Sequence, residues 1–239
     1  MYSKYRLPYP PEVLDVLHKE LGFREKDVVA DIGSGTGLLT KLFLSNGNKV
    51  FAVEPNANMR HQAERDFAGF TNFVSVDGKA ERTKLQRKSI DLITAGEALH
   101  WFNPSRTTRE FSRIARPGCH LCVVYTRWKR GAKIRRDYLR FIRKYEHDLA
   151  NVPEMSRKLA TPYFAGGKCL RFKLQGSRTL DFQGLKGMTL SFSFMPTLEE
   201  AERSEEFNAA LQKVFDSNES NGQLRFPYET TVLLGEPAE

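Results

Sequence analysis

The sequence predicts a doubly wound α/β fold: a mostly parallel, seven-stranded sheet with helices on both faces and a helical insertion after the fifth strand. Three observations predict it. Over the first 126 residues short apolar, β-branched runs alternate with segments of helical periodicity, and parallel neighbours joined by right-handed crossovers carry helices on both faces. Three alternating glycines, Gly33, Gly35 and Gly37, directly follow the first run, where such a sheet binds ligands. A basic amphipathic stretch breaks the alternation after Thr126.

The elements follow in order. The run Asp27 to Gly33 (DVVADIG) is β-branched and ends in glycine, so it is the first strand. Leu38, Leu39, Leu42 and Phe43 then recur at helical spacing before a Ser-Asn-Gly stop. NKVFAVEP, FTNFVSVDG, IDLITAG and CHLCVVY are the next four strands, with helices in NANMRHQAERDFAG and PSRTTREFSRIARPG and a polar connection in KAERTKLQRKS. In the segment from Arg127 to Ala150, Ile134, Tyr138, Phe141, Ile142, Tyr145 and Leu149 form an apolar helical stripe among Arg and Lys, and it reads as an insertion over the sheet edge. KCLRFKLQGSRTLDF and GQLRFPYETTVLLGE supply two more strands, with one helix from Leu198 to Phe215 between them.

This divides a single domain, 1–239, into an N-terminal segment and first helix (1–26), a ligand-binding core (27–126), a helical insertion (127–168) and a C-terminal part completing the sheet (169–239). With 40% hydrophobic and 28% charged residues the chain is long enough for one substantial core. Its N-terminus lacks the apolar core of a signal peptide and no run reaches the ~18 apolar residues of a membrane span, so the expected location is the cytoplasm, without a membrane partner. Cys119 and Cys122 have the spacing of a redox or zinc motif, yet on a strand residues three apart face opposite sides. With only Cys169 besides, they read as core cysteines and no metal site is expected.

The glycine turn does not suit a dinucleotide. That fingerprint is G-x-G-x-x-G, whereas here Leu38 stands at the third-glycine position and Asp31, two residues before the turn, would repel a diphosphate. Glu54, at the end of the second strand, can accept hydrogen bonds from both hydroxyls of a ribose. The ligand so described has a ribose and no phosphates. A competing role for Glu54 is a surface helix cap.

This combination resembles the class I S-adenosylmethionine-dependent methyltransferases and their Rossmann-like fold. DIGSGTG matches that family's first motif, Glu54 its second-strand acid, and Arg116 to Gly118 (RPG) the turn before its fifth strand. YRLPYPPEVLDVL, GKAE (78–81) and GEALHWF (96–102) resemble the branch of trans-aconitate methyltransferase-like proteins. The resemblance implies that Gly33, Gly35 and Gly37 pass under the methionine part of the cofactor S-adenosylmethionine, that Asp31 faces its ammonium directly or through water, and that Glu54 holds the ribose. It implies Pro55 and Met59 beside the adenine, Lys79, Ala80 and Glu81 along its edge, and room beside the sulfonium at Gly96 and Ala98. His100 and Trp101 would face the substrate. By residue type His100 suits a general base on a hydroxyl or amine as well as a packing residue beside two aromatics, and Trp101 suits a stacking contact with substrate as well as core. Glu97 and Lys79 depart from the usual pattern. Tyr2, Tyr5 and Tyr9 would belong to a segment folding over the cofactor.

The expected function is methyl transfer to a small-molecule acceptor, an anionic one included, through a carboxylate, hydroxyl or amine. Two other readings stay open. The net charge of +8 and the basic segment 127–144 suit an RNA methyltransferase as well as a solvated helix face, and the unusual Glu97 and Lys79 suit a cofactor-binding protein without catalysis.

Overall fold

A computed structural model of the chain describes residues 9–146, 156–192 and 194–238. Tyr2 and Tyr5 therefore lie outside the described residues, whereas Tyr9 is within them. Seven strands stand in the order β3-β2-β1-β4-β5-β7-β6, with the first strand central and the order reversing beside it. Among the described residues, 9–126, 156–174 and 230–238 form one compact unit, and 127–146, 175–192 and 194–229 belong to a second.

In the first unit α1 (Glu12–Leu21) ends at Gly22 and is followed by β1 (Val29–Ile32), buried throughout. Then come α2 (Leu38–Ser45), β2 (Val50–Val53), α3 (Ala57–Asp66), β3 (Phe73–Val76), β4 (Ile90–Gly96), α4 (Pro104–Ile114) and β5 (Ala115–Trp128). The neighbours β1–β2, β2–β3, β1–β4 and β4–β5 all pair in parallel. β1 and the middle of β5 are buried on both faces, so alternate residues enter different clusters: Ala30, Ile32, Leu121 and Val123 one, Val29, Cys122 and Val124 the other. Cys119 joins the first and Cys122 the second, as opposite-facing core thiols. Burial pushes both up to about 12, which keeps them protonated and unreactive.

The RPG segment is not a turn before β5. It lies inside the strand as a bulge, because Ile90 pairs with Ala115 while Leu92 already pairs with His120, and Gly118 takes φ +79°. A short helical turn, α6 (Arg157–Ala160), also belongs to this unit.

The second unit has its own core. Helix α5 (Lys133–Tyr145) is the amphipathic helix expected in the basic segment: Ile134, Tyr138, Phe141 and Ile142 are buried, and Arg136, Arg140 and Arg143 are exposed. Its apolar face packs with α7 (Phe182–Leu190), α8 (Leu198–Arg203) and α9 (Glu205–Asp216), and Lys133 Nζ caps the end of α9 at Ser217 O, 2.6 Å away. Two features depart from expectation. Residues 182–190 form a helix whose glycines weakened its periodicity, and Leu198 to Phe215 is two helices because Ser204 caps the second by accepting from Phe207 N–H. Of the remaining strands, β6 (Leu170–Leu180) and β7 (Leu224–Gly235), residues 170–174 and 230–235 belong to the first unit and 175–180 and 224–229 to the second. No helix among the described residues is long and apolar enough to cross a membrane.

One polar cluster ties the connection after β3 to α4. The Glu110 carboxylate accepts from Thr83 N–H at 2.7 Å and from the Thr83 hydroxyl, and meets Arg113 through two bonds of 2.7 Å. Burial pushes this carboxyl up, but the hydrogen bonds from Arg113 and Thr83 outweigh that and hold it below its ordinary 4.5. Its contribution is therefore present above pH 4.5 and is lost as pH falls through the lower folded value. Glu110→Ala strands Thr83 and Arg113, and a loss of about 3 kcal/mol is expected in denaturant titration. Glu110→Gln flattens the acid limb of the wild-type stability curve below pH 4.5.

Candidate functional site

The site is built on the carboxyl edge of the sheet, where the strand order reverses. Gly33 N and Ser34 N both donate to Val53 O, so the turn after β1 is folded onto the end of β2. All three glycines have positive φ, but the space at each differs. A β-carbon at Gly33 would lie 2.8 Å from Ala98 Cβ and 3.2 Å from the Phe102 ring, and one at Gly37 would run into the Phe67 ring. At Gly35 it would meet only Met59 Sδ, at 3.9 Å. Gly33 and Gly37 are thus demanded by the protein's own packing, while Gly35 leaves its face of the turn open.

Glu54 borders that open side through the Gly35 amide. It is 7% exposed, and its carboxylate spans two backbone donors, Gly35 N–H at 2.9 Å and Asn56 N–H at 2.8 Å. It is not the cap of α3: the Asn56 side chain accepts from Asn58 N–H and Met59 N–H instead. Each Glu54 oxygen keeps acceptor capacity beyond its one backbone bond. Arg60 Nη1 braces the same corner through Glu54 O at 2.9 Å and Asp77 at 3.4 Å. The Thr36 hydroxyl, buried in the glycine turn, has no hydrogen-bond partner among the described residues. Sequence reasoning missed Thr36 and Arg60, since neither residue type carries a signal at these positions.

Asp31 lies behind the turn, fully buried, and accepts from the Thr40 hydroxyl at 2.6 Å and the Thr94 hydroxyl at 3.1 Å. Burial raises its carboxyl to about 6 against these bonds, and the charge of Glu54 adds to the rise.

The adenine-side residues separate. Met59 reaches the glycine turn, but Pro55 is exposed, and Lys79 is exposed with its N–H bound to Arg82 O at 3.1 Å. Ala80 is buried in the core, and the Glu81 carboxylate accepts from Asn103 N–H at 2.8 Å, fixing the start of α4.

At the end of β4 the expected room beside Gly96 is filled. A β-carbon there would lie 2.6 Å from the Tyr9 hydroxyl and 3.2 Å from Leu39. Ala98 is packed against Gly33, and His100 and Trp101 follow in a single 3₁₀ turn, their ring centroids 4.8 Å apart. Trp101 is 68% exposed. Among the described residues no cluster of His, Cys, Asp or Glu could hold a metal ion.

Two outcomes follow from this geometry. Gly37→Ala should cost about 2–4 kcal/mol through overpacking and the positive φ, whereas Gly35→Ala should cost only about 1 kcal/mol, as read by thermal denaturation. Equal losses would refute the division between packing and open glycines. For Asp31, a folded value above the unfolded one means that stability falls as pH rises from 3.8 to about 6 and is level above that. Asp31→Asn removes this slope, so its stability relative to wild type should climb across that window. A pH-independent difference would contradict the assignment.

Residues 30–123 match the model of a family described as a methyltransferase domain. Over 124 residues the chain is 35% identical to an uncharacterized methyltransferase of Mycobacterium tuberculosis, covering 52% of this chain and 48% of that protein. The chain thus spans about half the length of the first curated relatives it matches. It is also 23% identical to an uncharacterized methyltransferase-like protein of Schizosaccharomyces pombe, over 98% of this chain and 92% of that one. Among solved structures, one described as a type II methyltransferase from Anaeromyxobacter dehalogenans superposes with a TM-score of 0.74 at 20% identity, covering 97% of this chain and 98% of the other. Residues 30–123 are therefore similar to a methyltransferase domain, and the sheet that carries them has the Rossmann-like α/β fold seen in solved methyltransferase structures.

Proposed function

We propose that the protein transfers a methyl group from S-adenosylmethionine to a small-molecule acceptor. The observation that carries this reading is the Glu54 carboxylate, buried yet only partly satisfied, spanning the Gly35 and Asn56 amides on the open side of the glycine turn. A ribose diol offers two O–H donors to such a group. Gly35 leaves the backbone approachable, and the Thr36 hydroxyl supplies a buried polar group awaiting a partner. Asp31 would act on the ligand's ammonium from behind the turn, through a relay, since Thr40 and Thr94 already occupy it. The motifs YRLPYPPEVLDVL and GEALHWF, which resemble those of trans-aconitate methyltransferase-like proteins, support a small-molecule acceptor over a macromolecular one.

Methyl transfer from a sulfonium asks mainly for alignment and exclusion of water, because the donor is already activated. The cofactor, when bound, supplies the electrophilic methyl. The chain supplies the cradle, and His100 and Trp101 form its acceptor side. An RNA acceptor is the second reading. It rests on Arg136, Arg140 and Arg143, exposed along one face of α5, and salt-sensitive tRNA binding lost on their replacement by Gln would favour it.

S-adenosylhomocysteine should raise the melting temperature by about 5–10 °C at saturation, and NAD should not. Glu54→Gln keeps the side chain's shape but weakens its grip on the ribose. An affinity loss of roughly 1.5–3 kcal/mol is expected in calorimetry. Unchanged affinity in the folded variant would return Glu54 to a purely structural role.

A further inference from the structure

We propose that Glu97 is a catalytic residue of this site and that the acceptor reacts through an N–H or O–H group whose proton Glu97 takes. The inference rests on the methyltransferase reading and names its acceptor class.

Glu97 directly follows Gly96 at the carboxyl end of β4, half-buried, and adopts φ +51°. Glycine would hold that left-handed backbone without strain, so a side chain kept there needs another reason. Glu97 Oε1 accepts from Thr126 N–H at 2.7 Å, and the Thr126 hydroxyl pairs with that of Thr230 at 3.0 Å. The carboxylate therefore spans the ends of β4 and β5 in a fixed orientation. It shares the β4 end with the Tyr9 hydroxyl, which lies over Gly96, and with His100 and Trp101 in the turn that follows.

A fixed negative charge at this edge discriminates between nucleophiles. It opposes the approach of a carboxylate acceptor and favours a group that brings a proton or acquires positive charge as it reacts. In the step, the lone pair of the acceptor nitrogen or oxygen forms a bond to the methyl carbon. The carbon–sulfur bond breaks with its electrons remaining on sulfur. The proton of the acceptor passes to Glu97 and from there to solvent, so the sulfonium's positive charge leaves the site as that proton.

The test uses the full chain, S-adenosylmethionine labelled in its methyl group, and a deproteinised cell extract fractionated by charge as the acceptor probe. Methyl esters release labelled methanol in mild base, whereas N-methyl and O-methyl ether products do not. Base-stable label is expected. Glu97→Gln retains an acceptor for Thr126 N–H and should lower the rate of labelling by roughly a hundredfold or more while leaving the thermal shift with S-adenosylhomocysteine intact. Glu97→Gly, which relieves the backbone, should fold at least as well and be equally slow. Base-labile label, or a Glu97→Gln variant that keeps its rate, overturns this inference and leaves the methyltransferase reading standing. Bound S-adenosylhomocysteine with no labelling of any fraction overturns both.

Discussion

The path of five backbone residues between β1 and α2 is the constraint on which the rest of the site depends. The chain must leave a buried strand and start a helix that packs back on the same sheet, and it does so with three residues at positive φ. Two of these are pressed from either side, Gly33 by Ala98 and Phe102 and Gly37 by Phe67. Because Phe102 belongs to the turn before α4 and Phe67 caps α3, both neighbouring crossovers bear on the loop. The Gly35 amide is left in one position, and Glu54 is aligned on it. A loosened loop would disperse the carboxylate as well as the backbone.

Electrostatics divides the buried acids into two kinds. Glu110 is compensated: hydrogen bonds from Arg113 and Thr83 overcome burial and hold the carboxyl low, which makes it part of the scaffold. Asp31 has only uncharged donors, the Thr40 and Thr94 hydroxyls and the Thr40 amide, together with the repulsion of Glu54, and burial raises it to about 6. A cation close to Asp31 and Glu54 relieves both burial and mutual repulsion. The ligand whose ammonium and sulfonium charges the methyltransferase reading places here has that character.

How far the site was legible in the sequence depended on whether a residue's role was local. The strands and the glycine spacing could be read because periodicity and missing side chains are local properties. The division of labour among the glycines could not, since it is set by Phe67 and Phe102, many positions away. Glu54 was ambiguous for the same reason: acid before Asn56 suits a cap equally well, and only the contact with Gly35 N–H separates the two. The RPG bulge, read as a turn from its resemblance to the family's motif, is a strand irregularity because β4 holds the residues on both sides. Tyr9 over Gly96 was out of reach, because 87 positions of sequence separate groups that the sheet brings together.

The carboxyl end of β4 is where local rules are most evidently broken. Gly96 is crowded by a phenol, the next residue holds a left-handed φ with a charged side chain, and an indole follows in the open. Over much of the rest of this unit propensity, pattern and packing agree, from the apolar run of β1 to the Asn103 side chain capping α4, although Lys84 and Lys88 also hold a positive φ and β5 carries its bulge. Sequences tend to be consistent across these levels except where chemistry requires otherwise. A site whose donor is already activated has little need of residues at the glycine turn beyond those that hold the donor. The departures fall instead at the strand end beyond it, where the proposed role of Glu97 places the acceptor and its proton.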